Sequence, residues 1–570
     1  MSFLFPASAP PASARAQDIY YELANLTYTI HGDRWVEVEG EYTVFNPSPP
    51  LWRATIKVTK TIPTTAVENI DIEGVDYTIE NTGMNIIIRM SFTVKGQQRH
   101  HYRVSYWARD LVAGEGPRYK AKFGRVVDSD FKYENFVVTI QGPKDTVLFL
   151  ASPEAKKITD TPPTVRYETA VDVGETLDGL SAIFYVRSVY YRLLISQTLS
   201  NPTAEDARNV WLDAALFRLT GWQFAALVSS NTPILAMYRD EENNWRATFD
   251  VGTLRAGENR DVNIEVVFVC EVYMPGIGAA DVGYLHDVPP DMSPYLQEQE
   301  YWEVNDPRIQ AVAQRFGKNP NTYELAEDIM KFVGNHVELP EEDVDVPRHG
   351  ALWTYLNRYG DCEGFSDLTI ALARAAGLPA RLCHGWVFRG DEPGPHAWVE
   401  FYLPPKGWMP ADPTWAKPVG GYLCSIGSIH VLREVAGLES KTTPVIVWRD
   451  GGGVDFGAYD VALTLLTKGE ASQEFIKAAE LAIQEAERLL GYELTGARSY
   501  LNQALATDNI AERTSLAQLA LKGAYEVIQE RGKPPERRVP IDWQMVLLAA
   551  LAGGLVAAAA SAAFRLRRRK

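Results

Sequence analysis

The sequence predicts a multidomain protein: N-terminal all-β sandwich modules, then an α+β domain, then a C-terminal helical segment and one transmembrane helix. Three observations carry this reading. Alternating strands run from residue 18 to about 274, a thiol, an imidazole and a carboxylate follow in order within 359–415, and residues 545–564 contain no charge.

At 570 residues the chain exceeds a single core and predicts several domains. Hydrophobic residues at 46% and aromatics at 11% favour folded domains throughout. A formal charge of −17 repels polyanions and excludes nucleic acid as the expected partner. Four cysteines without a CxxC pair exclude a disulfide scaffold, a zinc ribbon and a dithiol redox site. Cys383 and His384 are strand neighbours facing opposite ways, a poor chelate, so no metal and no cofactor are expected. Cys270 and Cys383 are expected to be buried in strands, and a Cys383–Cys424 disulfide in an oxidising compartment stays open.

Residues 1–17 end near an Ala14-Arg15-Ala16 pattern like a signal-peptidase site but lack a basic n-region and a full apolar core. They read as a signal remnant or a disordered Pro/Ala/Ser tail. Strands such as WVEVEGEYTVF, NIIIRMSFTV and VNIEVVFVCEVYM, separated by Gly, Pro, Asn and Asp, indicate β-sandwiches, placed at 18–190 and 191–285. An internal echo supports two related modules: YTVFNPSPPLWRATIKV at 42–58 parallels QTLSNPTAEDARNVWLD at 197–213, and strand pairs around Gly96 and Gly257 follow. Arg99, His100 and His101 read as an exposed turn.

The α+β domain is expected at 286–450, entered through a Pro- and acid-rich connector and two helices, DPRIQAVAQRF and TYELAEDIMKFVGNHV. Asp306 caps the first, with Pro307 at its first position. Asp361 can then cap a helix whose apolar positions Phe365, Leu368, Thr369 and Leu372 recur at helical spacing and which Gly377 and Pro379 end. Cys362 falls in its first turn, where unpaired N–H groups and the helix dipole favour a thiolate. Arg381–Phe388 reads as a strand, RGDEPGP as a turn-rich connection, and 396–403 as a strand with His396, Trp398, Glu400 and Tyr402 on one face. A third extended segment carries Asp412, which can fix the tautomer of His396. An ideal hairpin closed by PPKG would turn Asp412 to the wrong face. The spacing therefore predicts an odd-length connection or a bulge between Tyr402 and Asp412.

The segments GDCEGFSDL, AAGLPARLCHG, HAWVEFYLPPKGW and ADPTW resemble the transglutaminase-like superfamily, whose core resembles the papain fold; the likeness covers roughly 290–430. It implies Cys362 as nucleophile, His396 as base and Asp412 as orienting group of a thiol acyl-transfer enzyme on protein or peptide amides. A protease-like hydrolase is expected first and a cross-linking transglutaminase second. The reading from another class is a non-enzymatic surface scaffold or adhesion protein carrying a silent site.

Beyond that domain, Ile476, Ala479, Ile483, Ala486 and Leu490, then Leu516, Leu519, Gly523 and Val527, predict an amphipathic hairpin or bundle over 471–530, broken near TDN. Residues 543–564 are long enough to span a membrane, and the basic tail 565–570 places the C-terminus in the cytoplasm and the large domains outside.

Overall fold

The computed structural model describes residues 19–534 apart from 65, 114–116, 124–130, 154, 173–174, 176–179, 318–319, 341–346, 390–391, 417–421, 441–443 and 449. The expected signal remnant, membrane span and basic tail lie outside the described residues. Among those described, no helix is long and apolar enough to cross a membrane. The chain divides into two units, the second beginning at Ser188.

In the first unit a seven-stranded sheet is built around Tyr20–Ile30, which pairs antiparallel with Val36–Asn46 and parallel with Lys132–Gln141. Three- and four-stranded sheets contribute to the same apolar core, with Ile56, Ile88 and Phe184 meeting Leu26, Val38 and Val104. Burial alternates along Ile86–Lys95, as a strand with one solvated face requires. His100 and His101 do not form a turn. They lie in the strand Gln98–Ala108, where His101 Nδ1 is 2.9 Å from the Thr43 hydroxyl and His100 stacks on Phe92. The strand QRHHYRVSYWA thus begins with polar residues that are mostly exposed and alternates in burial only from Tyr102 on.

The internal echo has a physical basis. Asn46 and Asn201 are both fully buried. Each donates its side-chain amide to a carbonyl at the end of another strand, Val94 O at 3.1 Å and Leu254 O at 3.0 Å, and each accepts the N–H two residues on. An Asn-Pro corner is thus used twice. Gly96 is required at the first corner, where a Cβ would sit 2.0 Å from the Pro49 oxygen. Gly257 is required at the second by its φ of +70°.

The second unit corrects the expectation of a self-contained module at 191–285. Its sheets are Gln223–Ser230, Asn259–Glu271, Ser188–Ser200 and Asp455–Leu466, and Ile234–Arg239, Trp245–Leu254, Ala207–Phe217 and Val445–Val447. The outer strand of each comes from beyond the α+β domain, which is therefore inserted into the sandwich and ends before Val445, short of the expected 450. Asp455–Leu466 is an edge strand with a single fully buried position, so its periodicity is weak in the sequence.

The inserted domain contains α1 (Pro307–Ala313), α2 (Thr322–His336), α3 (Ala351–Asn357) and α4 (Cys362–Ala375). Its sheet has the order Gly407–Ala411, Glu392–Leu403, Ala380–Arg389, His430–Ala436. Asp306 accepts the Arg308 N–H at the start of α1, and Asn321 caps α2. The strand from Glu392 pairs with Arg389, so the segment expected as a turn-rich connection is mostly ladder.

The helical segment 471–530 is realised as α5 (Lys468–Leu490), α6 (Thr495–Ala506) and α7 (Ile510–Arg531). It covers the sandwich: Phe475 meets Phe224, and Tyr525 lies 4.5 Å from Trp245 by ring centroids. The face of α7 differs from the expected stripe. Leu519 is exposed, while Ala517, Ala520, Leu521, Ala524, Tyr525 and Ile528 are buried, because alanines let the helix approach closely.

Candidate active site

The first turn of α4 carries Cys362. The Asp361 carboxylate accepts the N–H groups of Glu363 at 3.0 Å and Gly364 at 3.2 Å, which fixes the start of the helix at the thiol. Of the four cysteines, Cys362 alone is not fully buried. Burial pushes the thiols of Cys270 and Cys383 well up and that of Cys424 to about 12. Cys362 is the one that keeps partial exposure to solvent.

The helix is buried from Gly364 to Arg374 on every side, rather than along the single stripe expected, because α1, α2 and α3 pack on it opposite the sheet. That enclosure forces its polar residues into pairs. Asp367 receives the Arg348 guanidinium at 2.6 and 2.9 Å and the Trp302 indole N–H at 2.8 Å. Arg374 donates to the carbonyls of Ala380, Gln297 and Gly437. Glu363, beside the thiol, has its carboxyl pushed up to about 7 by burial, with His384 Nε2 3.5 Å away.

His396 and Asp412 meet through the hairpin register. Leu403 pairs with Gly407 and Tyr402 with Trp408, leaving a connection of residues 404–406, an odd length as the spacing predicted. The register runs to Val399 opposite Ala411, so Asp412 comes next in line with Trp398 and on the face of His396. The His396 Nε2–H donates to Asp412 Oδ2 at 2.9 Å. The carboxylate is thus bonded through Nε2 and not through Nδ1.

A residue the sequence analysis did not single out completes the cluster. His430 Nε2 is 3.2 Å from the same Oδ2, while Oδ1 accepts the Thr414 N–H at 3.0 Å. The side chains of His396, Asp412 and His430 have no solvent exposure. Burial alone would push the Asp412 carboxyl up; the two imidazoles more than reverse this and hold it well below the usual carboxylate range. Trp415 lies near-parallel to His396 at 5.3 Å and edge-on to His430 at 5.0 Å. The three residues are also the types of a two-imidazole, one-carboxylate metal site, with ligand atoms within 4.8 Å of one another. Both carboxylate contacts have hydrogen-bond lengths, so the cluster is satisfied as donors on an anion.

Residues 310–413 match the transglutaminase-like superfamily. At that level the class is one of cysteine peptidases and acyltransferases. The chain is 27% identical over 121 residues to the uncharacterized protein YebA of Bacillus subtilis (strain 168), covering 19% of this chain and 15% of YebA. It is 36% identical over 70 residues to a protein-glutamine gamma-glutamyltransferase of Pseudomonas aeruginosa, covering 10% of each. A solved structure of a candidate cysteine protease from Cytophaga hutchinsonii aligns with 49% of this chain and 91% of that one, at 18% identity and a TM-score of 0.35.

All three expected site residues fall inside the transglutaminase-like segment, whereas His430 lies beyond it. The signal for His430 was a lone histidine in the apolar run SIHVLREV, on a strand that pairs with Ala380–Arg389 through a register shift beside Gly385. Gly385 sits opposite His396, and a Cβ there would lie 1.9 Å from the Val431 oxygen. Only glycine permits that approach. Glu400, expected on the His396 face, is occupied elsewhere: it holds Arg381 at 2.6 Å, and Arg381 also reaches Glu242 of the sandwich at 3.3 Å.

Proposed function

We propose that this chain is a thiol acyl-transfer enzyme acting on protein or peptide amide bonds, with Cys362 as nucleophile, His396 as base and Asp412 as the group that orients His396. The observation that carries the proposal is the buried Asp412 carboxylate on His396 Nε2, in a domain whose helix opens with the one cysteine that is not fully buried. In this reading the Cys362 thiolate attacks the amide carbon, and a C–S bond forms as the C–N bond breaks. The departing amine takes a proton from His396 Nδ1. Water then attacks the thioester, His396 accepts its proton, and the acid leaves as the thiol is restored. The backbone N–H of Cys362 is the proposed donor to the tetrahedral oxyanion. Hydrolysis is the preferred outcome. Transfer to an amine is the second reading, supported by the likeness to a protein-glutamine gamma-glutamyltransferase over 70 residues.

The test is to profile a peptide library with the purified protein, with and without a primary amine, and to repeat it with Cys362→Ala. Cleavage without amine incorporation supports hydrolysis, and incorporation supports transfer. Turnover that survives in Cys362→Ala places the nucleophile elsewhere. No turnover at all, with Cys362 no more reactive than an ordinary thiol, supports the scaffold reading. We also propose a single-pass anchor at 543–564 with the large domains outside the cell; protease shaving of intact cells should release them, and their protection would reverse the topology.

A further inference from the structure

The strand His430–Ala436 is clasped by the sandwich into which the domain is inserted. Gln223 bonds the N–H and the carbonyl of Leu432, both at 2.7 Å, and Asn244 does the same to Val435 at 2.8 and 2.9 Å. Tyr191 donates to the Ser428 carbonyl at 2.9 Å. These bonds fix the one strand of the sheet that lies outside the family match yet sends an imidazole to the reactive carboxylate. A buried polar side chain costs stability unless it is paired, and His430 is paired with Asp412 Oδ2, the atom that also holds His396.

We propose that His430 is a positioning residue of the reaction: as a second N–H donor on Asp412 it shares the carboxylate's charge and so sets how strongly Asp412 holds the His396 imidazolium. The inference rests on the triad reading given above. One donor fewer concentrates the charge of Asp412 on His396, which makes the imidazolium harder to deprotonate. The other titratable groups of the site are His384 on the neighbouring strand, which feels the charge of His396, and, in the triad reading, Cys362 on α4. His384 is held in its neutral form by burial and by the charges of Arg348 and Arg433. None of these donates to Asp412.

The test needs no substrate: the rate of iodoacetamide alkylation at Cys362 is followed by mass spectrometry as a function of pH. The variants are His430→Leu, which removes the donor, and His430→Gln, which keeps an N–H at similar reach but cannot titrate. In the native protein Cys362 should react below the ordinary thiol range, with an upper limb where His396 loses its proton. That limb should rise by about one pH unit in His430→Leu and stay in place in His430→Gln. A limb in the native position in both variants reduces His430 to packing and overturns the inference. If His430→Leu fails to fold, proton NMR of His430→Met, which also removes the donor but refills the space, decides. Loss of one deshielded imidazole N–H signal with a shift of the His396 signal supports the proposal, and an unmoved His396 signal overturns it. A native Cys362 that is no more reactive than a free thiol removes the triad reading itself, and the inference with it.

Discussion

Among the described residues of the inserted domain two carboxylates are wholly buried, Asp367 on α4 and Asp412 at the end of the sheet, and they differ in what they hold. Asp367 is paired with Arg348, a group that keeps its proton, and with an indole. Asp412 is paired with two imidazoles, whose ring nitrogens can either donate or accept a hydrogen bond. Their carboxyls move in opposite directions: burial pushes Asp367 up against the pull of Arg348, whereas Asp412 is held down against burial. The same residue type at the same burial serves as scaffold in one place and as candidate proton machinery in the other. The partner decides which.

The largest effect should come from breaking the scaffold pair. Asp367→Ala leaves Arg348 buried without its carboxylate and is expected to destabilise the fold by about 3–5 kcal/mol, read from chemical denaturation. A loss below about 1 kcal/mol would mean that Arg348 finds water, and the contrast would fail. Asp412→Asn should do the reverse. Its fold should survive, while the alkylation rate of Cys362 near neutral pH falls by about a hundredfold, because the amide cannot hold an imidazolium.

Acid should separate the two sites further. Asp412 has a depressed folded-state pKa, so its contribution to stability is present above its unfolded value of about 4 and is lost as pH falls through the folded one. The native protein should therefore lose stability faster than Asp412→Asn below pH about 4. Glu363 has the opposite sign. Its carboxyl rises from 4.5 to about 7, so its contribution is complete below 4.5 and is lost as pH rises towards 7. Glu363→Gln should be the more stable protein near pH 7 and show no advantage below 4.5, the smallest of these effects. Equal midpoints at both pH values would show that water reaches Glu363.

The pairing of His396 with Asp412 was legible because it follows from alternation and loop parity, both local properties of residues 396–412. The helix that begins at Cys362 was legible from Asp361 and the apolar spacing after it. His430 was not, because its link to Asp412 crosses two intervening strands and depends on a register shift beside Gly385. The insertion of this domain into the sandwich escaped for a similar reason. Val445–Val447 and Asp455–Leu466 pair with strands more than 230 residues earlier, and sequence periodicity carries no record of that partner. The Arg348–Asp367 pair was missed because helical spacing marks only the apolar stripe of α4.

The central claim is that Cys362 is activated by His396 held on Asp412. Competitive labelling of the four cysteines with limiting iodoacetamide at pH about 6, below the ordinary thiol range, tests it most directly. Label is expected on Cys362 alone in the native protein and little on any cysteine in Asp412→Asn. Labelling of Cys362 no faster than Cys270, Cys383 or Cys424, or at the same rate in both proteins, would contradict it.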